Sequence, residues 1–246
     1  MSSFYTTSTA EHMASFDPCN TFVVKHMLGQ GGSSRVLKCQ DLENNEYALK
    51  VIKNEKNFSK TKVDKMLCKE FCIAQMLGDH PNVLKCFASV TDAGVTNFLM
   101  PSKGTEDSNS AGSTVNHTGE VNIVHNIKYN ILEVADNGSL AKFIRHTGPL
   151  EEDIAKFMFF QLASAVKHMH ENLVAHFDIK LENILLDQFY NIKLADFGSA
   201  EIMENHKSQF KYKKGTNHYM APEVSNCTIS KESYSPFSAD MYSLGI

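Results

Sequence analysis

"VAHFDIKLENILLD", Val174 to Asp187, is the stretch on which the reading of this chain turns. Asp178, Lys180 and Asn183 offer a base, a cation and a neutral oxygen ligand within six residues, and an apolar run follows. Thirteen residues after Asn183 comes "ADFGSA", with Asp196 behind the apolar strand "NIKL". Asn183 and Asp196 are two oxygen donors suited to share Mg2+, a hard cation that also takes water and phosphate oxygens. Taken one at a time, each is equally a turn residue; their occurrence in this order carries the weight. Phe177 sits where a charge is expected, and this leaves open whether the loop works or is the remnant of one that did.

Upstream, "TFVVKHML", "RVLKC" and "EYALKVI" have strand texture, and the first two flank the glycine turn "GQGGSS". Gly29 and Gly31 let the backbone turn tightly and approach a ligand, and N–H groups in such a turn suit phosphate oxygens. A plain hairpin turn explains the same residues. In "YALKVI", strand alternation puts Ala48, Lys50 and Ile52 on one face. A lysine between apolar neighbours needs a partner unless it snorkels to solvent. The spacing predicts a helix over 61–77, with Val63, Leu67, Ala74 and Leu77 on one stripe. At about 100° per residue, Glu70 falls in mid-stripe and faces the interior. An unpaired carboxylate there is costly, and Lys50 is its natural partner. Cys68 and Cys72 fall on the opposite face.

Composition sets the outer bounds. The 246 residues are 42% apolar and 21% charged, ordinary for a globular protein. A net charge of -4 gives no basic footprint for nucleic acid. No apolar run reaches the roughly 20 residues that span a bilayer. The start lacks a basic segment followed by an apolar one, so no secretory signal is expected. A cytoplasmic location is the expectation, with the nucleus left open. The six cysteines form neither a Cys-x-x-Cys pair nor a Cys/His metal spacing, and are read as reduced thiols.

Residues 1–20 are polar and expected to be a flexible N-terminal segment. Residues 91–126 contain "SKGTEDSNSAGSTVNHTGE", too poor in large apolar residues to bury much surface, and are expected to form a flexible insertion. Strand texture returns at "IKYNILEVA"; "NGSLAKFIRHTG" reads as a turn entering a helix. A longer helix is predicted over 151–172, its acidic first turn favoured by the helix dipole. Short strands follow at "NILLD" and "NIKLA". Strands with one helix, an insertion, then a helical half give an α+β chain of two lobes around a cleft, 21–136 and 137–246.

With these motifs assembled, the sequence resembles the eukaryotic protein kinases of the serine/threonine type, from about Thr21 to Ile246 outside the insertion. "GQGGSSRV" resembles the glycine-rich loop, with Ser34 in place of its third glycine and Val36 as the valine that follows. Lys50 matches the phosphate-pairing lysine and Glu70 its helix partner. Asp178 matches the catalytic aspartate, Asn183 the metal-binding asparagine, and Asp196 of "DFG" the main magnesium ligand. "APE" stands at 221–223, and "DMYSLG" from Asp240 resembles the start of the long central helix of the large lobe.

The resemblance implies a small antiparallel-sheet lobe with one key helix, a mostly helical second lobe, and transfer of the ATP γ-phosphate to a hydroxyl of a protein substrate. It implies that Asp178 accepts the hydroxyl proton, Lys180 offsets charge on the phosphoryl group, Asp196 and Asn183 hold Mg2+, and Lys50 positions the phosphates. Adenine would lie between Val36, Ala48 and Leu185, with hinge contacts from Glu133 and Ala135, Leu132 as gatekeeper, and Ser139 near the ribose. Lys180 and Thr216 of "GTNHYMAPE" point to serine or threonine acceptors, and Thr216 is expected to touch Asp178. Glu182 suits either a basic substrate residue or a structural role.

Three departures matter. Phe177 replaces an arginine that in many kinases receives an activation-loop phosphate, so activity is expected to be independent of that phosphorylation. Lys207, Lys211, Lys213 and Lys214 in "ENHKSQFKYKK" either attract an acidic substrate or a phosphate, or are simply solvated. Ile246 falls inside the expected central helix, so the second lobe is expected to be incomplete and Glu223 to lack its arginine partner. Against an active kinase stands the alternative of a pseudokinase or inactive fragment that binds nucleotide or a partner without catalysis.

Overall fold

The computed structural model describes residues 22–31, 34–52, 60–90, 95–99, 121–125 and 128–246. The segment 1–20 and most of 91–126 lie outside them. Runs rich in β-branched and aromatic residues build β1 (Phe22–Gln30), β2 (Ser34–Gln40) and β3 (Glu46–Ile52), paired antiparallel in chain order. Asp41 closes the β2–β3 turn, its carboxylate accepting the N–H groups of Glu43 and Asn45 at 2.9 and 2.8 Å. β7 (Tyr129–Leu132) pairs antiparallel with β3, and β4 (Cys86–Val90) antiparallel with β7.

Two more strands complete the sheet, β5 (Val95–Leu99) and β6 (Val121–His125), paired antiparallel with each other. β5 lies parallel to β1, so the order is β4-β7-β3-β2-β1-β5-β6 and the sheet is antiparallel except at that one contact. The stretch 91–126 therefore contributes strands at its two ends. Both ends, "VTNFL" and "VNIVH", carry β-branched and aromatic residues suited to strands, and the polar run between them hid this.

α1 (Lys60–Leu77) packs its stripe against the sheet, burying Leu67, Glu70, Ile73, Ala74 and Leu77. The second lobe begins with α2 (Leu140–Thr147), capped by Ser139 and ended at Gly148, and continues with α3 (Glu152–Glu171). Two small ladders follow: β8 (Val174–Ala175) with β11 (Glu201–Ile202), and β9 (Ile184–Leu186) with β10 (Ile192–Leu194). α4 (Pro222–Ser230) and α5 (Pro236–Leu244) both open on proline, whose fixed φ suits a first helical position. The fold is thus the α+β, two-lobed arrangement expected from the sequence.

One core crosses both lobes, from Ala48, Ile73 and Leu132 to Leu162, Ile184 and Leu194. The loop after α1 is zipped to β10: Leu194 N–H donates to the Asn82 carbonyl (2.8 Å), Leu84 N–H to the Leu194 carbonyl (2.9 Å), and Asn82 Nδ2 to the Ile192 carbonyl (3.0 Å). This seam fixes α1 relative to the strand that precedes Asp196. Among the described residues no helix is long and apolar enough to cross a membrane.

Candidate active site

Strand register aims one face of the sheet at the cleft. Val36 pairs with Lys50, Lys38 with Ala48, and Ala48 with Leu132, and directly opposed residues share a face. Ala48, Leu132 and Ala135 are buried, while Val36 and Leu185 pack partly buried against the same core. Lys50 Nζ is 2.7 Å from Glu70 Oε1 on α1 and 2.7 Å from Asp196 Oδ1. Burial works against the Lys50 charge, but the two carboxylates outweigh it and raise its pKa, so the ammonium persists. Burial likewise pushes Asp196 up, and Lys50 outweighs that, holding its carboxyl below the usual range.

Asp196 itself sits in the left-handed region, φ 64 and ψ 70, a conformation non-glycine residues rarely adopt. Two residues on, a side chain at Gly198 would meet Asp196 Oδ1 at 3.2 Å. At Gly29 an added Cβ would meet nothing within 4 Å, and at Gly31 only Ser34 Oγ at 3.8 Å. Among the described residues nothing crowds these two glycines. Gly31 N–H donates to the Ser34 carbonyl at 2.9 Å, closing the turn.

The loop after β8 forms a closed polar triangle. Thr216 Oγ1 donates to Asp178 Oδ1 at 2.6 Å, and Lys180 Nζ donates to Asp178 Oδ2 (2.7 Å) and to Thr216 Oγ1 (2.8 Å). Asn183 Nδ2 donates to the Asp178 carbonyl at 2.8 Å and to its Oδ2 at 3.2 Å. That spends the amide nitrogen and leaves Asn183 Oδ1 as the group to offer a cation. With the Asp196 carboxylate, which is 48% exposed, it makes an all-oxygen donor pair that fits Mg2+. The Asn183 carbonyl accepts Ala195 N–H at 2.9 Å, which brings the two donors' backbones together.

Further residues hold this site in place, among them Asp240, expected from its place in "DMYSLG" to brace the catalytic-loop backbone. His176, fully buried, accepts Asp178 N–H at Nδ1 (3.2 Å) and spans through Nε2 to the Ala195 carbonyl (3.1 Å), linking both loops. Asp240, also buried, accepts the N–H groups of His176 (2.7 Å) and Phe177 (2.8 Å). Lys38 reaches Glu46 (2.8 Å) and Asp136 (2.9 Å), the residue after the hinge. Glu133 gives its carboxylate to Lys193 of β10 (2.6 Å), and its N–H donates to the Lys85 carbonyl (3.0 Å). Ser139 Oγ caps α2 by accepting Lys142 N–H.

A protein kinase domain matches residues 22–246 as a family. The chain belongs to the protein kinase family. It is 31% identical over 222 residues to the cell cycle serine/threonine-protein kinase CDC5/MSD2 of Saccharomyces cerevisiae, covering 90% of this chain and 26% of that protein. It is 41% identical over 119 residues to the serine/threonine protein kinase OSK3 of Oryza sativa subsp. indica, covering 48% and 22%. A third relative, the testis-specific serine/threonine-protein kinase 2 of Mus musculus, is 41% identical over 122 residues, covering 48% and 33%. The chain thus spans between about a fifth and a third of the length of these curated relatives.

Phe177 is part of an aromatic cluster. Its ring lies 4.9 Å from that of Phe210 and 6.5 Å from that of Tyr234. Lys214 Nζ sits 5.3 Å above the Phe177 ring and pairs with Glu201 of β11, which also holds Lys69 of α1 at 2.7 Å. Burial raises the Glu201 carboxyl, yet hydrogen bonds from Lys214 and Lys69 outweigh it and lower its pKa. The segment's own lysine and carboxylate thus tie it to α1, one residue from Glu70. Glu223, expected as a buried charge without a partner, is exposed in the first turn of α4.

Proposed function

We propose that this kinase transfers the γ-phosphate of ATP to serine or threonine hydroxyls of protein substrates, and does so without phosphorylation of its activation segment. The observation that carries the transfer is the joined geometry of Glu70–Lys50–Asp196 and Asp178–Lys180–Thr216, each link between 2.6 and 2.8 Å. The acceptor oxygen bonds to the γ-phosphorus as the bond to the β–γ bridging oxygen breaks, and that electron pair leaves with ADP. Asp178 takes the hydroxyl proton. Lys180 offsets charge on the phosphoryl group in flight, and Lys50 orients the α- and β-phosphates. Asp196 and Asn183 Oδ1 would hold Mg2+, which when bound neutralises phosphate charge. The apolar residues Val36, Ala48, Leu132 and Leu185 line the adenine side, with the backbones of Glu133 and Ala135 at the hinge.

Independence from phosphorylation rests on Phe177. The ring offers a phosphate no cation, and the adjacent Lys214 and Lys69 are both engaged by Glu201. The test is transfer of labelled γ-phosphate to a general protein substrate, with Asp196→Ala as control and with Ser208→Ala and Tyr212→Phe. Signal in the wild type and both loop variants, and none in the control, is the expected result. Loss of signal in either loop variant, with phosphate found at that residue, would overturn the independence. Silence throughout, with a rise in melting temperature on adding Mg-ATP, would favour a nucleotide-binding module that does not catalyse.

A further inference from the structure

The loop between β11 and α4 carries four lysines, and the structure sorts them. Lys214 is structural, held by Glu201 and the Phe177 and Phe210 rings. Lys207, Lys211 and Lys213 are exposed, and among the described residues no carboxylate pairs with any of them. Their backbone is nonetheless fixed. Phe210 and Tyr234 exchange two backbone hydrogen bonds of 2.9 Å, Tyr234 Oη donates to the Tyr212 carbonyl at 2.8 Å, and Ser208 and Asn205 close a turn around Lys207. The same segment then delivers Thr216 to Asp178 at 2.6 Å. Three exposed cations without a carboxylate partner among the described residues are therefore carried on a hydrogen-bonded backbone that leads into Thr216.

Resting on the kinase reading above, we propose that the preferred substrate of this site is an anionic one, whose acceptor Ser or Thr is flanked by carboxylates or phosphates on the side lying over 207–213. Glu182, exposed beside Asp178, bears the opposite charge, so the preference belongs to one flank of the acceptor. Exposed pairs are individually weak and screened by salt. Several acting together on one peptide amount to a gain on the order of tenfold, expressed in KM.

The experiment compares peptides with one acceptor serine flanked by alanine, glutamate, phosphoserine or lysine. Both kcat/KM and binding by fluorescence anisotropy are read at two salt concentrations. The wild type is set beside Lys207→Glu/Lys211→Glu/Lys213→Glu, three exposed positions whose exchange leaves the fold intact, checked by melting. The expected result is about a tenfold advantage for the glutamate peptide over the alanine one, lost in high salt and replaced in the variant by a preference for lysine. An advantage confined to the phosphoserine peptide would assign the anion as phosphate and still support the proposal. Alanine and glutamate peptides within twofold of each other, with no gain for phosphoserine, would overturn it, as would a preference that survives the charge reversal. Because binding is read separately from transfer, a chain that binds anionic peptides without phosphorylating them would defeat the kinase reading alone.

Discussion

At position 177 two demands meet. The backbone turns through φ 64, a region that is strained for a bulky side chain. Asp240 offsets that strain by accepting the N–H groups of both His176 and Phe177, charge-assisted bonds of the stronger kind. Asp240→Ala orphans two buried donors at about 1–3 kcal/mol each; urea denaturation should show a loss of that order, and a midpoint unchanged from wild type would contradict the role. Phe177→Arg tests the side chain. It would place a guanidinium where Lys214 Nζ now stands 5.3 Å from the ring centroid, setting like charges together. The expected outcome is lower activity, restored when Ser208 or Tyr212 is phosphorylated; an arginine variant as active as wild type without phosphate would refute it. Gly215 is fixed for a backbone reason: at φ +106 an added Cβ would lie 2.3 Å from the Phe177 carbonyl oxygen. Gly215→Ala should therefore reduce kcat more than it reduces the melting temperature, because it displaces Thr216 from Asp178.

Among the elements, β2 and the hinge are joined by Lys38 and Asp136 across the outer mouth of the cleft. Lys38 shares its face with Val36 and Ala48, the face proposed above to line the adenine side. Asp136→Asn should speed ADP release about two- to fivefold, the range expected for one partly exposed pair, as read by stopped-flow with a fluorescent nucleotide. An unchanged rate would leave the pair with no part in retention. This pair also marks where the sequence stops being legible. Lys50 and Glu70 declared each other because a charge inside an apolar stripe demands a partner. Lys38 sits in a strand of mixed pattern and Asp136 in a turn, and neither residue type is out of place alone. Lys69 with Glu201 is the same case: both belong on a surface by composition, and only the fold brings β11 against α1. The β5 and β6 strands were hidden differently, because each is only five residues long and a long polar run separates them. The signal in the sequence was strong where burial penalises the wrong residue, and weak where solvent tolerates any.

On the scale of the whole molecule, the lobes meet at a histidine pair. His80, in the loop after α1, stacks on His168 of α3 with ring centroids 4.7 Å apart. His80 Nδ1 accepts Asn82 N–H at 3.1 Å and its Nε2 contacts Ser164 Oγ at 3.2 Å, while His168 Nε2 reaches the Leu77 carbonyl at 2.7 Å. Burial, then the neighbouring His168 and Lys193, lower the His80 pKa below its ordinary value. A group depressed in the folded state leaves the unfolded chain binding more protons as pH falls. The stability it contributes is whole above about pH 6.5, the ordinary histidine value, and declines as pH falls through the folded one. Protonating Nδ1 would also break the Asn82 bond, in the residue that zips α1's loop to β10. Asp196 and Glu201, both depressed by lysines, follow the same sign but in a lower window, beginning near the usual carboxylate values of about 4. The melting temperature should therefore fall in two stages on acidification, the first beginning below about pH 6.5 and the second near 4. His80→Asn, which cannot titrate, should remove the first stage and keep the second. A melting temperature that stays flat until the carboxylate window, or a first stage that persists in the variant, would show that the two lobes are not coupled through this histidine.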